Sequence, residues 1–191
     1  MPLPFFASCC WGGGAPDLET PYETLHELPP EQFGRKSDRQ TLDFSELRGK
    51  VVLVVNVASL CGLTRTNYKE LVPLYEQLLT QPFEILAFPC AQFLMQEPRG
   101  NDGVHNFCER RGVKFPVLDK CSVNGKQASE VYDFLKVSSG DMKPIEWNFG
   151  KFLVGKDGKV IKRYSPKVRP ALITPDIHEA LKAPDVPTIR E

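Results

Sequence analysis

The segment Val51–Val57 is apolar at every position except Asn56. A run of this kind, rich in β-branched residues, is typical of a strand buried on both faces, as in a parallel or mixed sheet. After Thr64, apolar residues recur at helical spacing, which predicts a helix. Those residues are Tyr68, Leu71, Val72, Tyr75, Leu78 and Leu79. Cys61 therefore lies where a central strand ends and a helix is about to begin.

The same patterns predict the remaining elements. Further strands are expected at 22–28, 41–44, 83–88, 115–123, 147–154 and 160–164, the last two joined by a turn at Asp157-Gly158. Further helices are expected at 103–111, capped by Asn101 or Asp102, at 128–136, and from Pro175, with Leu172, Ile173, Ile177, Ala180 and Leu181 on one face. Pro73 implies that the helix after Cys61 bends or that two short helices meet. The order predicts a thioredoxin-like α/β fold, a central mixed β-sheet flanked by helices, with an N-terminal β-hairpin made by 22–28 and 41–44.

Length and composition bound the classes of function. The 191 residues suit one domain, expected at 21–183 between tails at 1–20 and 184–191. Lys and Arg together number 24, as do Asp and Glu, and this balance argues against nucleic-acid binding. No stretch is long and apolar enough for an integral membrane segment.

The six cysteines lack the dense spacing of a secreted disulfide framework, and the chain has no CxxC pair. The three histidines are far apart, so a zinc site built from short ligand pairs is not expected. This use of cysteine indicates a reducing compartment, and we expect a cytoplasmic protein, with targeting to an organelle left open as an alternative. Cys9 and Cys10 could accept palmitate, or they could belong to an unstructured tail.

Cys61 is the candidate reactive group. Ligand sites of open α/β sheets lie at the carboxyl ends of strands, and a helix amino terminus favours the thiolate form of a cysteine. The opposing interpretation is that Cys61 is a small buried hydrophobic residue, as many cysteines are. Position alone leaves both interpretations open.

Three polar side chains occur where strands give way to loops: Gln96, Trp147 and Asn148. Their amide and indole groups are hydrogen-bond donors, which could favour a thiolate and orient a bound peroxide. Taken singly, each has an ordinary structural explanation as a solvated loop residue, a packed aromatic or a turn residue. Spacing does not show that they converge on Cys61.

Three blocks carry a resemblance to a known family: VNVASLCGLT at 55–64, LAFPCAQFLMQEP at 86–98 and WNFGKFLV at 147–154. From about Tyr22 to Leu181 the chain resembles the glutathione peroxidase family in its cysteine form. The resemblance implies a thioredoxin-like fold and a peroxidase without bound cofactor or metal. It places the family's peroxidatic residue at Cys61, its glutamine at Gln96 rather than Gln92, and its tryptophan and asparagine at Trp147 and Asn148.

Two departures from the family pattern are informative. The middle block, usually CNQFG, is Cys90-Ala91-Gln92-Phe93-Leu94 here, which implies altered loop flexibility and hydrogen bonding. The segment before Trp147 is short, and the assembly loop of tetrameric members is absent. The chain thus resembles monomeric members with an open active site, which accept lipid hydroperoxides.

The implied cycle begins when the Cys61 thiolate reduces hydrogen peroxide or an organic hydroperoxide and becomes a sulfenic acid. A thiol then reduces it through a disulfide. Cys108 is a candidate resolving cysteine, which a thioredoxin-type protein would serve, although Glu109 stands at the family's usual position. The alternative is that Cys108 is a buried helix cysteine and that glutathione completes the cycle. Cys90 and Cys121 are expected to be buried and structural.

Other functions use the same residues. A peroxide sensor that passes oxidation to a partner protein would require the same Cys61, and the sequence does not exclude it. A thiol-disulfide oxidoreductase is disfavoured because Cys61-Gly62-Leu63-Thr64 contains no second cysteine. An inactive scaffold is disfavoured because all four family positions carry the expected residue.

Overall fold

The computed structural model describes residues 19–35 and 37–184, so Cys9 and Cys10 lie outside the described residues. In these two ranges the chain forms six strands, four α-helices and two short 3₁₀ helices, Leu25–Glu27 and Phe44–Leu47. The strands are β1 Glu31–Phe33, β2 Gln40–Leu42, β3 Val51–Val57, β4 Phe83–Pro89, β5 Lys151–Val154 and β6 Val160–Tyr164. The helices are α1 Thr64–Gln77, α2 Asn101–Glu109, α3 Glu130–Ser138 and α4 Pro170–Lys182.

A mixed four-stranded sheet in the order β4-β3-β5-β6 forms the centre of the domain. Strand β3 pairs with β4 in parallel and with β5 antiparallel, and β5 pairs antiparallel with β6. All seven residues of β3 are buried. Burial on both faces explains why the sequence of β3 is an almost continuous apolar run, and it confirms the predicted buried strand.

Two apolar clusters cover the two faces of the sheet, because successive side chains of a strand point to opposite sides. Val51, Leu53 and Val55 face a cluster that includes residues of α1 and α4: Tyr68, Leu71, Leu74, Ile173 and Ile177. Val52 and Val54 face a second cluster with α3 and the two 3₁₀ helices: Leu25, Phe44, Leu47, Tyr132 and Leu135. The predicted central sheet with helices on both faces is confirmed.

The expected strand at 22–28 is wrong. The segment contains a 3₁₀ helix, and the hairpin partner of β2 is β1 instead. The Thr24 hydroxyl and the Glu23 N–H both donate to the Glu27 carboxylate, at 2.8 and 3.0 Å, respectively. This local pairing resembles a capping box and favours a helical turn over an extended strand.

The expected strand at 115–123 is also wrong as a regular element. The segment runs beside β4 and forms only isolated bridges, such as Ala87 with Val117. Ala87 donates its N–H to the Pro116 carbonyl at 3.0 Å and accepts from the Leu118 N–H at 2.8 Å. Pro116 has no N–H to donate, so a continuous ladder does not form.

Helix boundaries differ from the predictions in three places. Helix α2 begins at Asn101 with Gly100 as its cap, since the Asn101 side chain instead accepts from the Lys120 N–H at 3.0 Å. Helix α3 spans Glu130–Ser138, and the Ser129 hydroxyl caps it by accepting from the Val131 N–H.

Helix α4 begins at Pro170 rather than near Pro175, which lies inside it. The Glu70 carboxylate of α1 accepts from the free N–H of Ala171 in its first turn, which explains the earlier start. Leu172 is consequently exposed and not on the buried face. Helix α1 is a single element that includes Pro73. No helix in the described ranges has the length and apolar character needed to cross a bilayer.

Two turn glycines provide a matched test of packing between the first 3₁₀ helix and the β5–β6 turn. Gly158 and Gly125 both have φ of +80°. A Cβ at Gly158 would approach the His26 ring to 2.8 Å, whereas a Cβ at Gly125 would meet no atom within 4 Å. We expect Gly125→Ala to cost about 1–2 kcal/mol and Gly158→Ala about 2–4 kcal/mol of unfolding free energy. Urea denaturation of both variants measures the difference; equal losses would contradict the proposed crowding.

Candidate active site

Cys61 lies in the loop between β3 and α1, buried at the entrance to the helix. Its carbonyl accepts from the Thr64 N–H at 3.0 Å, and the Thr64 hydroxyl donates to the Ala58 carbonyl at 2.6 Å. These two bonds close the loop on itself. They hold Cys61 within one turn of the helix amino terminus, as the sequence predicted.

The loop after β4 is hydrogen-bonded directly to the Cys61 loop. The Leu60 N–H donates to the Gln96 carbonyl at 3.0 Å. The Ser59 N–H and hydroxyl donate to the two carboxylate oxygens of Glu97, each at 2.8 Å. Gln96 is therefore fixed beside the residue that precedes Cys61.

Leu94 and Met95 form a left-handed turn in this loop, with φ of 50° and 53°. Non-glycine residues in this conformation each cost roughly 1–2 kcal/mol. Leu94 stands where the family motif has glycine, so the chain keeps a glycine-like backbone without glycine. The turn projects both side chains outward, at 77% and 68% exposure, respectively.

The turn that carries Trp147 and Asn148 is held by the only polar residue of β3. The Asn56 side-chain amide donates to the Trp147 carbonyl at 3.0 Å, and the Asn56 carbonyl accepts from the Phe149 N–H at 2.7 Å. Phe149 has φ of 70°, so the backbone is not extended there. Strand β5 begins only at Lys151, and the expected strand start at Trp147 is wrong.

Asn148 and Gln96 are brought into direct contact. Asn148 is fully buried and donates from Nδ2 to Oε1 of Gln96 at 2.9 Å. Because the Gln96 oxygen is occupied in this way, the Gln96 amino group is the end that remains for another ligand. The Trp147 ring packs against Phe93 of the same loop, with ring centroids 5.6 Å apart.

The loops that carry the four predicted positions thus converge at the carboxyl edge of the sheet. The action of Gln96, Trp147 and Asn148 on the sulfur stays a prediction. None of the described residues donates a hydrogen bond to the Cys61 Sγ. Trp147 packs against the apolar cluster that contains Cys61. The structure therefore assembles the loops around Cys61, and among residues 19–35 and 37–184 the Gln96 amino group and the Trp147 indole N–H have no hydrogen-bond acceptor.

Lys151 is a buried cation that the sequence analysis did not single out. Its Nζ donates to the carbonyls of Phe149 and Val168, at 2.6 and 2.9 Å, respectively. Burial lowers the pKa of Lys151 to about 8, partly offset by Glu70. The ammonium thereby clamps the left-handed turn next to Asn148 to the segment before α4. A lysine at the first position of β5, directly before its apolar residues, was the available signal.

Cys108 lies on α2, as expected, and is buried in the same apolar cluster as Cys61. Its Sγ is 3.4 Å from the Tyr68 hydroxyl of α1. Burial raises the pKa of Cys108 to about 11, although the Tyr68 hydrogen bond acts in the opposite direction. Glu109 is exposed and pairs with Arg35. The resolving role of Cys108 stays a prediction, and it would require α2 to open.

The other two described cysteines lie on the opposite side of the sheet. Cys90 is fully buried, and burial raises its pKa. Cys121 is only partly buried and lies outside any regular strand, yet burial also raises its pKa. Within the described ranges no group of His, Cys, Asp or Glu side chains could hold a metal ion.

Comparison with known proteins identifies the family of the chain. The sequence model of the family described as glutathione peroxidase matches residues 31–136. A probable phospholipid hydroperoxide glutathione peroxidase of Mesembryanthemum crystallinum is 51% identical over 143 residues, which cover 73% of this chain and 84% of the relative. A chloroplastic phospholipid hydroperoxide glutathione peroxidase 1 of Arabidopsis thaliana is 48% identical and covers 84% of this chain and 68% of its own length.

Solved structures support the same relationship. The crystal structure of Trgpx in apo form is 34% identical with a TM-score of 0.67, and the match covers 86% of this chain and all of that one. A thioredoxin family protein from Chlorobium tepidum is 18% identical with a TM-score of 0.55, over 80% of this chain and 95% of that one. The second likeness concerns the fold alone and agrees with a thioredoxin-like architecture.

The raised pKa of Cys108 predicts a pH dependence of stability. The native state holds this thiol proton more tightly than the unfolded chain does, because the pKa is about 11 rather than 9.0. Raising the pH from 8 to 10.5 should therefore cost the wild type on the order of 2 kcal/mol more than it costs Cys108→Ala. Urea titrations at several pH values measure this difference. It should stay constant between pH 6.5 and 8, and constancy up to pH 10.5 would contradict the prediction.

Proposed function

The chain belongs to the glutathione peroxidase family, and from that premise we propose that it is a thiol-dependent peroxidase of hydrogen peroxide and organic or lipid hydroperoxides. One observation carries the proposal. The Cys61 loop, the Gln96 loop and the turn bearing Asn148 meet at one sheet edge, joined by the Leu60–Gln96 and Asn148–Gln96 hydrogen bonds. This brings a sulfur nucleophile together with uncharged hydrogen-bond donors.

In the oxidative half-reaction, the Cys61 thiolate attacks one oxygen of the peroxide. An S–O bond forms, the O–O bond breaks, and the second oxygen takes a proton and leaves as water or alcohol. Asn148 orients Gln96 so that its amino group can donate to the peroxide, and the Trp147 indole N–H is a second donor. Such donors stabilise the charge that develops on the leaving oxygen.

The surface beside Cys61 supports substrates with apolar portions. Leu60, Leu94 and Met95 are 58%, 77% and 68% exposed, respectively. All three belong to the two loops that meet at Cys61, and exposed apolar groups clustered in this way mark interaction sites. The relatives named above carry phospholipid hydroperoxide in their names. We therefore include lipid hydroperoxides in the proposed substrate class.

The reductive half-reaction has two candidate routes. In the first, the Cys108 thiol attacks the Cys61 sulfenic acid, so that a disulfide forms, water leaves, and a thioredoxin-type protein reduces the disulfide. In the second, glutathione attacks the sulfenic acid, so that a mixed disulfide forms and water leaves, and a second glutathione releases the Cys61 thiol together with glutathione disulfide. The open groove formed by Arg65, Lys69 and Arg111 above Tyr68 supports a reductant that carries carboxylates.

The peroxide-sensor alternative is not favoured, because the relatives at about half identity are named as peroxidases. A sensor would be oxidised once and would need a specific partner, whereas an enzyme turns over with a general reductant. The four cysteines of the described ranges are free thiols, which supports a reducing compartment, and we propose the cytoplasm. A monomeric state is proposed on the family resemblance.

Cys61→Ser tests the proposed activity directly. A serine hydroxyl is a far weaker nucleophile than a thiolate, so peroxide consumption should fall by roughly 10³-fold or more. The assay follows hydrogen peroxide and a lipid hydroperoxide over many turnovers, with glutathione and thioredoxin systems in parallel. Cys121→Ser, across the sheet, should keep its rate within about twofold. Undiminished turnover in Cys61→Ser would discard the assignment.

Cys108→Ser separates the two reductive routes. If Cys108 resolves the sulfenic acid, thioredoxin-supported turnover should fall by roughly tenfold or more, while glutathione-supported turnover should persist. Peptide mapping of peroxide-treated wild type should then show a Cys61–Cys108 disulfide. Equal thioredoxin-supported rates in wild type and Cys108→Ser would exclude this route and leave the direct reduction of Cys61.

A further inference from the structure

Glu97 is a buried carboxylate to which the proposed chemistry assigns no role. It is 1% exposed and follows Gln96 directly in the chain. Its Oε2 accepts from the Ser59 N–H and its Oε1 from the Ser59 hydroxyl, each at 2.8 Å, and Oε1 also accepts from the Arg99 N–H at 3.4 Å. A buried charge is costly unless it is hydrogen-bonded and compensated. This carboxylate is therefore committed to the residue two positions before Cys61.

Arg99 completes the environment of this carboxylate. Its guanidinium donates to the Ser59 hydroxyl and lies 3.9 Å from Oε1 of Glu97. The Ser59 hydroxyl thus accepts a hydrogen bond from Arg99 and donates one to Glu97, so that it acts as both acceptor and donor. The same guanidinium lies over the Phe107 ring of α2, 5.2 Å from its centroid. Ser59 and Glu97 are buried, whereas the Arg99 side chain is one-third exposed and covers them from the solvent side.

Two adjacent residues of one loop hold two adjacent residues of the other. Glu97 binds Ser59, and the Gln96 carbonyl binds the Leu60 N–H. These bonds join residues 59–60 to residues 96–97. They therefore set the position of the Cys61 sulfur relative to the Gln96 side chain, which Asn148 holds. A displacement of about 1 Å between reacting groups can slow a reaction roughly 100-fold.

We propose that Glu97 is a positioning residue for the peroxide-reducing step, acting through Ser59 to set Cys61 against Gln96. The inference rests on the proposed function. This role requires that both oxygens of the Glu97 side chain accept a hydrogen bond from Ser59. In Glu97→Gln the amide offers only one oxygen, so either the Ser59 N–H or its hydroxyl loses its acceptor. Direct attack of glutathione, the reductant in the test, on the Cys61 sulfenic acid does not involve Gln96, so this reductive step does not depend on the alignment.

The test measures the two half-reactions separately in the full chain. Glu97→Gln should lower the second-order rate constant for hydrogen peroxide by roughly tenfold or more and leave that for the reductant within about twofold. Glu84→Gln is the matched control, since Glu84 is half-buried at the opposite end of the sheet, at the start of β4. It should leave both constants unchanged while also removing a carboxylate.

A double-mutant cycle with Ser59 keeps the proposal falsifiable should Glu97→Gln fold poorly. Ser59→Ala alone should slow the oxidative step, and Ser59→Thr, which retains the hydroxyl, should restore it. Combined with Glu97→Gln, Ser59→Ala should add less than its single effect, because both residues act in one network. Equal slowing of both half-reactions, or fully additive effects, would overturn the positioning role. If the wild type itself consumes no peroxide, the proposed function fails instead.

Discussion

The complete burial of β3 is the constraint on which the rest of the structure depends. Its backbone is satisfied by β4 on one side and β5 on the other, and its side chains fill two cores. Strands β3 and β4 run parallel and β5 runs antiparallel to β3, so the carboxyl ends of β3 and β4 lie at the same edge as the amino end of β5. The loops that leave β3 and β4 and the turn that enters β5 therefore meet at one edge. The candidate site forms where these two loops and this turn pack against one another.

Buried polar groups determine how these loops fit together. Asn56 holds the Trp147 turn, Glu97 holds Ser59, and Lys151 holds the Phe149 carbonyl. Each of them would be costly in an apolar interior without its partner, so each specifies one arrangement of the loop it binds. The strained left-handed residues at the site, such as Leu94, persist because this arrangement leaves them no alternative. The hydrogen bonds that satisfy these buried groups thus also fix the conformation of the loops at the site.

The two thiols of the site face different physical environments within one core. Cys61 lies in a loop whose neighbours, such as Leu60, are exposed, whereas Cys108 is on a helix, protonated at neutral pH and bonded to Tyr68. A cycle that uses both must break the packing of α2 before a disulfide can form. A cycle that uses Cys61 alone leaves α2 in place. The choice of reductant is therefore linked to the local stability of one short helix.

Local sequence determined those features that depend on local patterns. The apolar run of β3, the helical spacing after Thr64 and the turn at Asp157-Gly158 predicted their elements because strand burial, amphipathicity and turn chemistry are encoded over a few residues. The family blocks likewise placed Cys61 and Gln96 on loops at strand ends. The errors arose where side chains compete with the backbone, as in the Thr24–Glu27 pairing, or where Pro116 interrupts a ladder.

Tertiary structure alone decided the contacts between distant segments. No spacing rule indicates that Asn148 donates to Gln96, 52 positions earlier, or that Glu97 accepts from Ser59, 38 positions earlier. Nor does it indicate that the Cys61 sulfur receives no hydrogen bond from the described residues. Such contacts depend on how the loops pack once the sheet is formed, because hydrogen-bond geometry is fixed to tenths of an ångström and is set by the whole fold.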